Sequence, residues 1–450
     1  MGHALWCWSE GFLVLSAEDN ELLTRTGAST PMGQYLRRYW LPVALSRELP
    51  EPDGVPLRVK IMGENLVAFR DSEGIVGLVD SRCPHRGADL YFGRNENCAL
   101  RCVFHGWQFD RMGRAVELPN VPSDSHYHQT LRLKHYPTRE YGEMIWAYMG
   151  PQDKPIPEVP NLEMGLVSPS NRFVTKKLQE CNWAHSLEGG LDTTHFSFLH
   201  MPAPSVPSNV NSDAPADEKR LRWIREDPMP EFSLLDHEVG FVIGGARRAD
   251  GQNRYWRTTQ FAFPTHTTTP STFQGETYFG TTWVPIDDDN CWIYTYAWNP
   301  DRALTEEELN KFKVGHGVMP EVDDKFIPLR RRSNEYLIDR ANQKNVTFTG
   351  VRGIAEQDAM IWDSQGRIHD RSLEHLCQTD AAIVRFRRVM LNHVKDLMEG
   401  KEPTAPFKPK SYKLRSGSWI APEGTTFEQV MIERFGDRFG RVSDSDKALT

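Results

Sequence analysis

The fold class that the sequence predicts is α+β in two unlike parts, and three observations carry that prediction. Residues 43–151 hold short alternating or β-branched runs parted by Gly, Pro, Asp and Asn turns, the pattern of a compact all-β domain. Pro151, Pro155, Pro157 and Pro160 then punctuate a linker. From about Asn171 onward, strand patterns are mixed with helical ones.

Taken in order, the chain opens on two short helices. Ser16 can cap a helix over 17–24, and Thr30 followed by Pro31 starts a second over 31–40 that Pro42 limits. In the β domain, strands are expected over 57–61, 65–69, 75–79, 102–109 and 144–149. In the second half, 255–263, 277–284 and 292–298 read as strands. The clearest helix follows Thr379 and runs to about Glu399, with Ile383, Phe386, Met390, Val394 and Leu397 at three- and four-residue spacings and Gly400 as its stop. Segment 202–219, rich in Pro, Ser, Asn and Asp, reads as a mobile loop, and the polar tail 437–450 as loose.

Composition bounds the function classes. The 450 residues carry 53 Lys and Arg against 61 Asp and Glu, a net charge of −8, with the basic residues scattered. A nucleic-acid binder would need a basic stripe to neutralise phosphates, so none is expected here. No apolar run approaches the roughly 20 residues that span a bilayer. Residues 1–15 contain Trp6, Trp8 and Phe12 but no basic stretch, and Glu10 interrupts them, so a cytoplasmic protein without a secretory signal is expected. Seven cysteines are too few, and odd in number, for a disulfide framework. A chain this long buries cores without a structural metal, so any metal should serve function.

Two constellations suggest such metals. In the β domain, Cys83-Pro84-His85 is followed after sixteen residues by Cys102-Val103-Phe104-His105. Each half supplies one thiolate and one imidazole, the donor set of a [2Fe-2S] cluster with two Cys on one iron and two His on the other. Replacing two thiolates by neutral rings raises the potential from about −400 mV to roughly −150 to +300 mV. A zinc site would instead group its cysteines on one loop and its histidines on a helix. Cys98 competes as a ligand, but Arg101 stands where its histidine would fall, which favours Cys102.

The second constellation is the run from Asn182 to His200, with three histidines in nineteen residues and Asp192 ahead of His195. Two His and one carboxylate leave open positions on Fe(II) for O2. On an ideal helix His195 and His200 would stand about 140° apart, so the helix must end or distort between them if both bind one ion. The carboxylate stays open among Asp358, Glu356, Asp363 and Asp192. No GxGxxG or phosphate-binding fingerprint of a nicotinamide or flavin domain accompanies these motifs.

Cys83-Pro-His-Arg-Gly-Ala-Asp-Leu and Cys102-Val-Phe-His-Gly-Trp-Gln-Phe-Asp resemble the cluster loops of the large subunits of Rieske non-haem iron oxygenases. Ala88 and Val103 stand near the places where respiratory Rieske proteins carry bridging cysteines, so the oxygenase type fits. The resemblance covers most of the chain, and its phthalate dioxygenase-like form is carried by Asp19-Asn-Glu-Leu-Leu, Thr30-Pro-Met-Gly, Arg38-Tyr-Trp-Leu-Pro-Val-Ala-Leu-Ser, and Gln357-Asp-Ala-Met through Asp370-Arg-Ser-Leu-Glu-His-Leu. It implies an all-β Rieske [2Fe-2S] domain over 43–151, a helix-covered antiparallel-sheet catalytic domain over 152–450, and an N-terminal helical segment, 1–42, packed on the latter.

The same resemblance assigns Cys83, His85, Cys102 and His105 to the cluster, and His195 and His200 to mononuclear Fe(II). It maps the third iron ligand to Asp358. Asp192 matches the family's bridging aspartate, which links the cluster histidine of a neighbouring subunit, here matching His105, to His195. A homotrimer or a multiple of one is thereby implied. Asn182 is expected as a polar neighbour of the iron, and His185 as a packed or solvated ring. Electrons would come from NAD(P)H through a separate iron-sulfur flavoprotein reductase.

Such enzymes often act on aromatic carboxylates. A carboxylate calls for a cation, ideally an Arg fork. Arg257 shares a strand face with Tyr255, Thr259, Phe261 and Phe263, and Arg247 and Arg248 are second candidates. The expected function is therefore that of the terminal oxygenase of a multicomponent dioxygenase that dihydroxylates a small aromatic substrate, such as a phthalate-type acid. An O-demethylating or diaryl-ether-cleaving Rieske oxygenase would carry the same metal sites. A Rieske electron-transfer protein would lack the second iron.

Overall fold

The computed structural model describes residues 14–122, 124–206, 216–270 and 277–436, of which 216–218 are described in backbone only. The Trp-rich start at 4–12, residues 207–215 of the Pro-rich segment and the tail 437–450 lie outside the described residues.

Local chemistry sets the first elements. The Ser16 hydroxyl accepts from the Asp19 amide and caps helix Ala17–Thr24. Thr30 does the same for Gly33 at the start of Pro31–Leu36. This second helix is shorter than the expected 31–40. The apolar run Trp40–Leu45 is fully buried as a strand against Met144–Tyr148, and a register irregularity between Pro42 and Ala44 accommodates the proline.

Three small antiparallel sheets form the β domain. One holds Leu57–Ile61, Glu64–Arg70, Val76–Asp80 and His135–Tyr136, another Arg94–Glu96, Ala99–Arg101, Gln108–Asp110 and Ala115–Glu117. The third pairs Trp40–Leu45 and Thr138–Tyr141 with Met144–Tyr148. The strand expected over 102–109 is instead a tight loop joining Ala99–Arg101 to Gln108–Asp110. Gly106, at φ +78°, turns the chain out of extended geometry there.

The second part is built on an eight-stranded antiparallel sheet. Its order is Arg172–Gln179, Cys291–Trp298, Tyr278–Pro285, His266–Thr269, Asn253–Ala262, Gly240–Arg248 and Glu231–His237, with Ser418–Pro422 also paired to Asn253–Ala262. Helices cover it. Trp183 of Trp183–Leu191 and Phe261 of the sheet both meet the Phe386 ring of Ala381–Met398, and Phe427 of Phe427–Phe435 stacks on Trp256. Ala381–Met398 buries Phe386, Met390 and Val394 and stops before Gly400 at φ +86°, as its periodicity predicts. Residues 216–219, expected as loop, begin a helix, Ala216–Glu226, which Trp223 and Ile224 anchor against Tyr255.

One apolar core runs through both parts, joining Ile61, Leu66 and Trp146 to Trp283, Ile293 and Phe261. A backbone seam adds to it, since the Met62 and Gly63 amides donate to the Pro285 and Ile286 carbonyls at 2.8 and 2.9 Å. The N-terminal helices lie on Ala381–Met398, with Tyr35 stacked on His393 and Asp19 paired with Lys395. Among the described residues, no helix is long and apolar enough to cross a membrane.

Candidate metal centres

The two Cys-His loops of the β domain are built alike. The Gly87 amide donates to the Cys83 carbonyl at 2.8 Å and the Gly106 amide to that of Cys102 at 2.9 Å. Each loop closes with the Cys amide on the carbonyl of Ala88 or Trp107. Gly87 and Gly106, at φ +72° and +78°, allow both turns. The loops bring His85 and His105 together, ring centres 4.4 Å apart, and Trp107 stacks on His85. Both cysteines are 3% exposed, and burial pushes the Cys83 thiol up to about 11, with the Cys102 thiol beside it. Deprotonating the Cys83 thiol calls for a cation beside it, which bound iron would supply. The His85 Nδ1 is buried without a hydrogen-bond partner, as a ligand nitrogen awaiting a metal would be. The four residues therefore fit the cluster. Cys98 sits in the hairpin turn at the opposite end of Ala99–Arg101 from Cys102, with φ +56° and its amide on Ser72.

The mononuclear site lies where the helix Trp183–Leu191 gives out. The helix ends at Leu191, so Asp192 is already outside it, and His195 opens a separate 3-10 turn, His195–Ser197. Freed from helical geometry, the Nε2 atoms of His195 and His200 approach to 3.1 Å. Asp358 Oδ1, from helix Ile354–Ser364, lies 3.1 Å from His200 Nε2 and 3.7 Å from His195 Nε2. Neighbouring ligands about 2.1 Å from one metal stand about 3 Å apart, so this triangle fits one ion. Asp358 Oδ1 is buried with no hydrogen-bond partner. The other carboxylates are used elsewhere: Glu356 accepts from the Glu321 amide, and Asp363 from Gln179 and Tyr336. Asp192 points one oxygen at His195 Nδ1, 3.4 Å away, and takes the amide and hydroxyl of Thr194 on the other. Burial would raise its carboxyl, but the bonds from His195 and Thr194 hold it down to about 2.

Three expectations meet different environments, and the fourth, for His185, is met. Asn182 is not near the triad. It caps the other end of the nine-residue helix, its carbonyl on the Ala184 amide and its NH2 on the Thr24 and Asp288 carbonyls. His185 is a packed ring bonded to the Trp362 carbonyl. Arg247 is buried but donates to the Thr193 and Asp227 carbonyls, so it braces the ligand loop from behind. Arg248 is exposed and pairs with Asp227.

Arg257 does reach the site. It lines a cavity with His195, Asp358, Phe196, Trp283 and Trp362. Its guanidinium lies 3.8 Å over the Phe196 ring, its Nε has no partner, and the side chain is 6% exposed. Burial pulls its pKa down to about 10, with Arg247 and Arg220 adding repulsion, and among the described residues no carboxylate pairs with it. Sequence reasoning missed Phe196, Gln357 and Lys177, which lines the same cavity and whose ammonium donates to the Ala355 carbonyl. Gln357 and Phe196 had a local signal, their places beside Asp358 and His195.

The fold and the two donor sets define an O2-activating oxidoreductase fed by an iron-sulfur centre. Comparison with known proteins agrees. Residues 39–137 match the Rieske [2Fe-2S] domain family and residues 147–435 the family described as LigXa C-terminal domain like. The chain is 39% identical over 395 residues to the phthalate 4,5-dioxygenase oxygenase subunit of Pseudomonas putida, covering 86% of this chain and 88% of that one. It is 34% identical over 435 residues to the 3-chlorobenzoate-3,4-dioxygenase oxygenase subunit of Comamonas testosteroni, covering 93% and 98%. The crystal structure of dicamba monooxygenase bound to dicamba shares the fold, with a TM-score of 0.57 over 82% of this chain and 99% of that chain at 15% identity. The chain belongs to the Rieske non-haem iron oxygenases, as an oxygenase subunit carrying a Rieske [2Fe-2S] cluster and a mononuclear iron.

Proposed function

We propose that this oxygenase dihydroxylates the ring of a small aromatic carboxylate, with Arg257 as the anchor for the acid group. The observation that carries the reading is a buried guanidinium, without a carboxylate partner among the described residues, in the cavity that also holds His195 and Asp358. An unpaired buried charge is costly, and an anionic substrate would offset that cost. The two relatives named above act, by their names, on phthalate and 3-chlorobenzoate, both aromatic acids.

Fe(II) bound by His195, His200 and Asp358 supplies open positions for O2 activation. Cys83, His85, Cys102 and His105 hold the cluster that takes electrons from a separate NAD(P)H-dependent iron-sulfur flavoprotein reductase. Asp192 holds His195 through Nδ1 and connects it to the cluster of a neighbouring copy. Trp283 and Trp362 form an apolar wall of the cavity that His195 and Asp358 also line.

Turnover of aromatic acids with a compatible reductase tests the reading. Arg257→Ala should raise KM for the acid by about 10- to 100-fold with a smaller change in kcat, and the wild-type product should be a cis-dihydrodiol. An unchanged KM would remove the anion site, and a demethylated product would replace ring dihydroxylation with O-demethylation.

A further inference from the structure

We infer that Gln357 is a positioning residue of the mononuclear site, fixing which nitrogen of His200 carries the proton and so leaving Nε2 free for iron. The inference rests on the reading of His195, His200 and Asp358 as iron ligands. An imidazole ligates only through an unprotonated nitrogen, and the tautomer is set by what the other nitrogen meets. His200 Nδ1 lies 2.7 Å from the terminal amide of Gln357.

Taken in isolation, that amide could present either its oxygen or its NH2 to the ring. Its other end decides. The second terminal atom of Gln357 lies 2.8 Å from the Val351 carbonyl, which can only accept, so that atom is the NH2 and the oxygen faces His200. An amide oxygen can only accept in turn, so Nδ1 carries the hydrogen. In the neutral ring, the form that binds a metal, Nε2 then keeps its lone pair, 3.1 Å from both His195 Nε2 and Asp358 Oδ1.

The Val351 carbonyl is itself held in place. The Val351 amide donates to the Thr349 hydroxyl, and the loop turns through Gly350 at φ +73° and Gly353 at φ +93°. A Cβ at Gly350 would come within 2.4 Å of the Asp339 carbonyl, so the turn admits no larger residue. Gln357 and Asp358 are consecutive in helix Ile354–Ser364, so one turn of helix supplies the third ligand and the lock on the second.

The two histidines therefore have unlike partners. His195 faces a carboxylate, Asp192, which is 22% exposed, whereas His200 faces a neutral amide in the buried interior. A carboxylate strengthens a ring as a donor, and an amide sets the tautomer without adding a buried charge.

Anaerobic Fe(II) titration of protein stripped of mononuclear iron, with the Co(II) absorption spectrum as a second readout, tests the inference. Gln357→Met keeps bulk and removes the acceptor, and Gln357→Glu keeps an acceptor toward His200. The Met variant should bind Fe(II) about 10- to 100-fold more weakly. The Glu variant should recover most of that loss and shift the Co(II) bands, because His200 then faces an anion. Far-UV circular dichroism and an unchanged thermal transition report that the catalytic part of each variant is folded, and visible absorption of the Rieske cluster does so for the β domain. A Met variant that binds Fe(II) like the wild type, or a Glu variant as weak as the Met variant, overturns the inference. His200→Ala, titrated in parallel, separates the two levels: if it also binds Fe(II) like the wild type, the ligand reading itself has failed.

Discussion

Glu188 shows how much a single residue carries in this fold. It lies in the middle of helix Trp183–Leu191, buried between Arg371, at 3.0 Å, and Arg387, at 2.7 Å. Burial alone would raise its carboxyl, but the two guanidinium groups hold it down to about 2. Because the folded value lies below the unfolded value near 4.3, this contribution to stability is complete above about pH 5 and is lost as pH falls toward 2. Glu188→Gln leaves Arg371 without a carboxylate and should cost about 3 kcal/mol, read as a fall in Tm at pH 7 and a flatter acid limb of stability. A Tm within a degree of the wild type would refute it. A second residue prediction separates Asp358 from Asp192. Asp358→Ala should lose mononuclear iron, while Asp192→Ala keeps iron and stalls its reduction by the cluster. Full iron occupancy in Asp358→Ala would sink the ligand assignment. Partners such as Arg371 and Arg387 were not legible in the sequence, since they lie nearly two hundred residues from Glu188 and no spacing marks them. Arg247 teaches the same lesson. It was a substrate candidate by its place just upstream of Arg257, but a long side chain chooses its own contact, and here it chose the Thr193 carbonyl.

At the scale of elements, residue pattern was informative in helices buried on one side and in strands of aromatic and β-branched residues buried on both. The capped N-terminal helix, the long helix Ala381–Met398 and the three expected catalytic strands follow their apolar patterns closely, whereas the other five strands of that sheet were not anticipated. It failed where another force won: at Gly106, whose positive φ makes a loop of an apparent strand, and at Ala216–Glu226, whose few apolar residues are hidden among charges. Between elements, packing depends on two glycines. A Cβ at Gly189 would meet Trp362 Nε1 at 1.9 Å, and one at Gly190 would meet the Trp283 ring at 2.6 Å. Trp362 lies one turn beyond Asp358 on helix Ile354–Ser364, so the close approach of this helix to Trp183–Leu191 sets where the carboxylate stands relative to the His pair. Gly189→Ala should cost about 1–3 kcal/mol through overpacking and lower the ratio of mononuclear to cluster iron. An unchanged iron-to-sulfide ratio would show that the helix contact does not position the ligand.

For the whole molecule, the question is how electrons travel from one centre to the other. The common core and the seam at Met62 and Gly63 fix the β domain on the catalytic domain. Among the described residues, no hydrogen bond, ion pair or ring contact joins the cluster loops to Asp192 or to the iron triad. The loops instead face outward, with Val103 and Phe104 exposed and His85 and His105 half-buried, and Asp192 is partly exposed as well. An exit surface and an entry surface on one chain that do not meet each other suit head-to-tail contact between copies, which forms a ring when the rotation closes. The prediction concerns oligomers that combine a cluster-deficient chain, His105→Ala, with an iron-deficient chain, Asp358→Ala, each tagged so that only mixed rings are purified. Either variant alone should be inactive. In a directed ring of three holding both, one junction in three pairs an intact cluster with an intact iron site, so turnover should recover to about one third of the wild type. Transfer within a chain would leave every mixture inactive, because no single chain then holds both centres, and that result would rule out the route through Asp192 of a neighbouring copy.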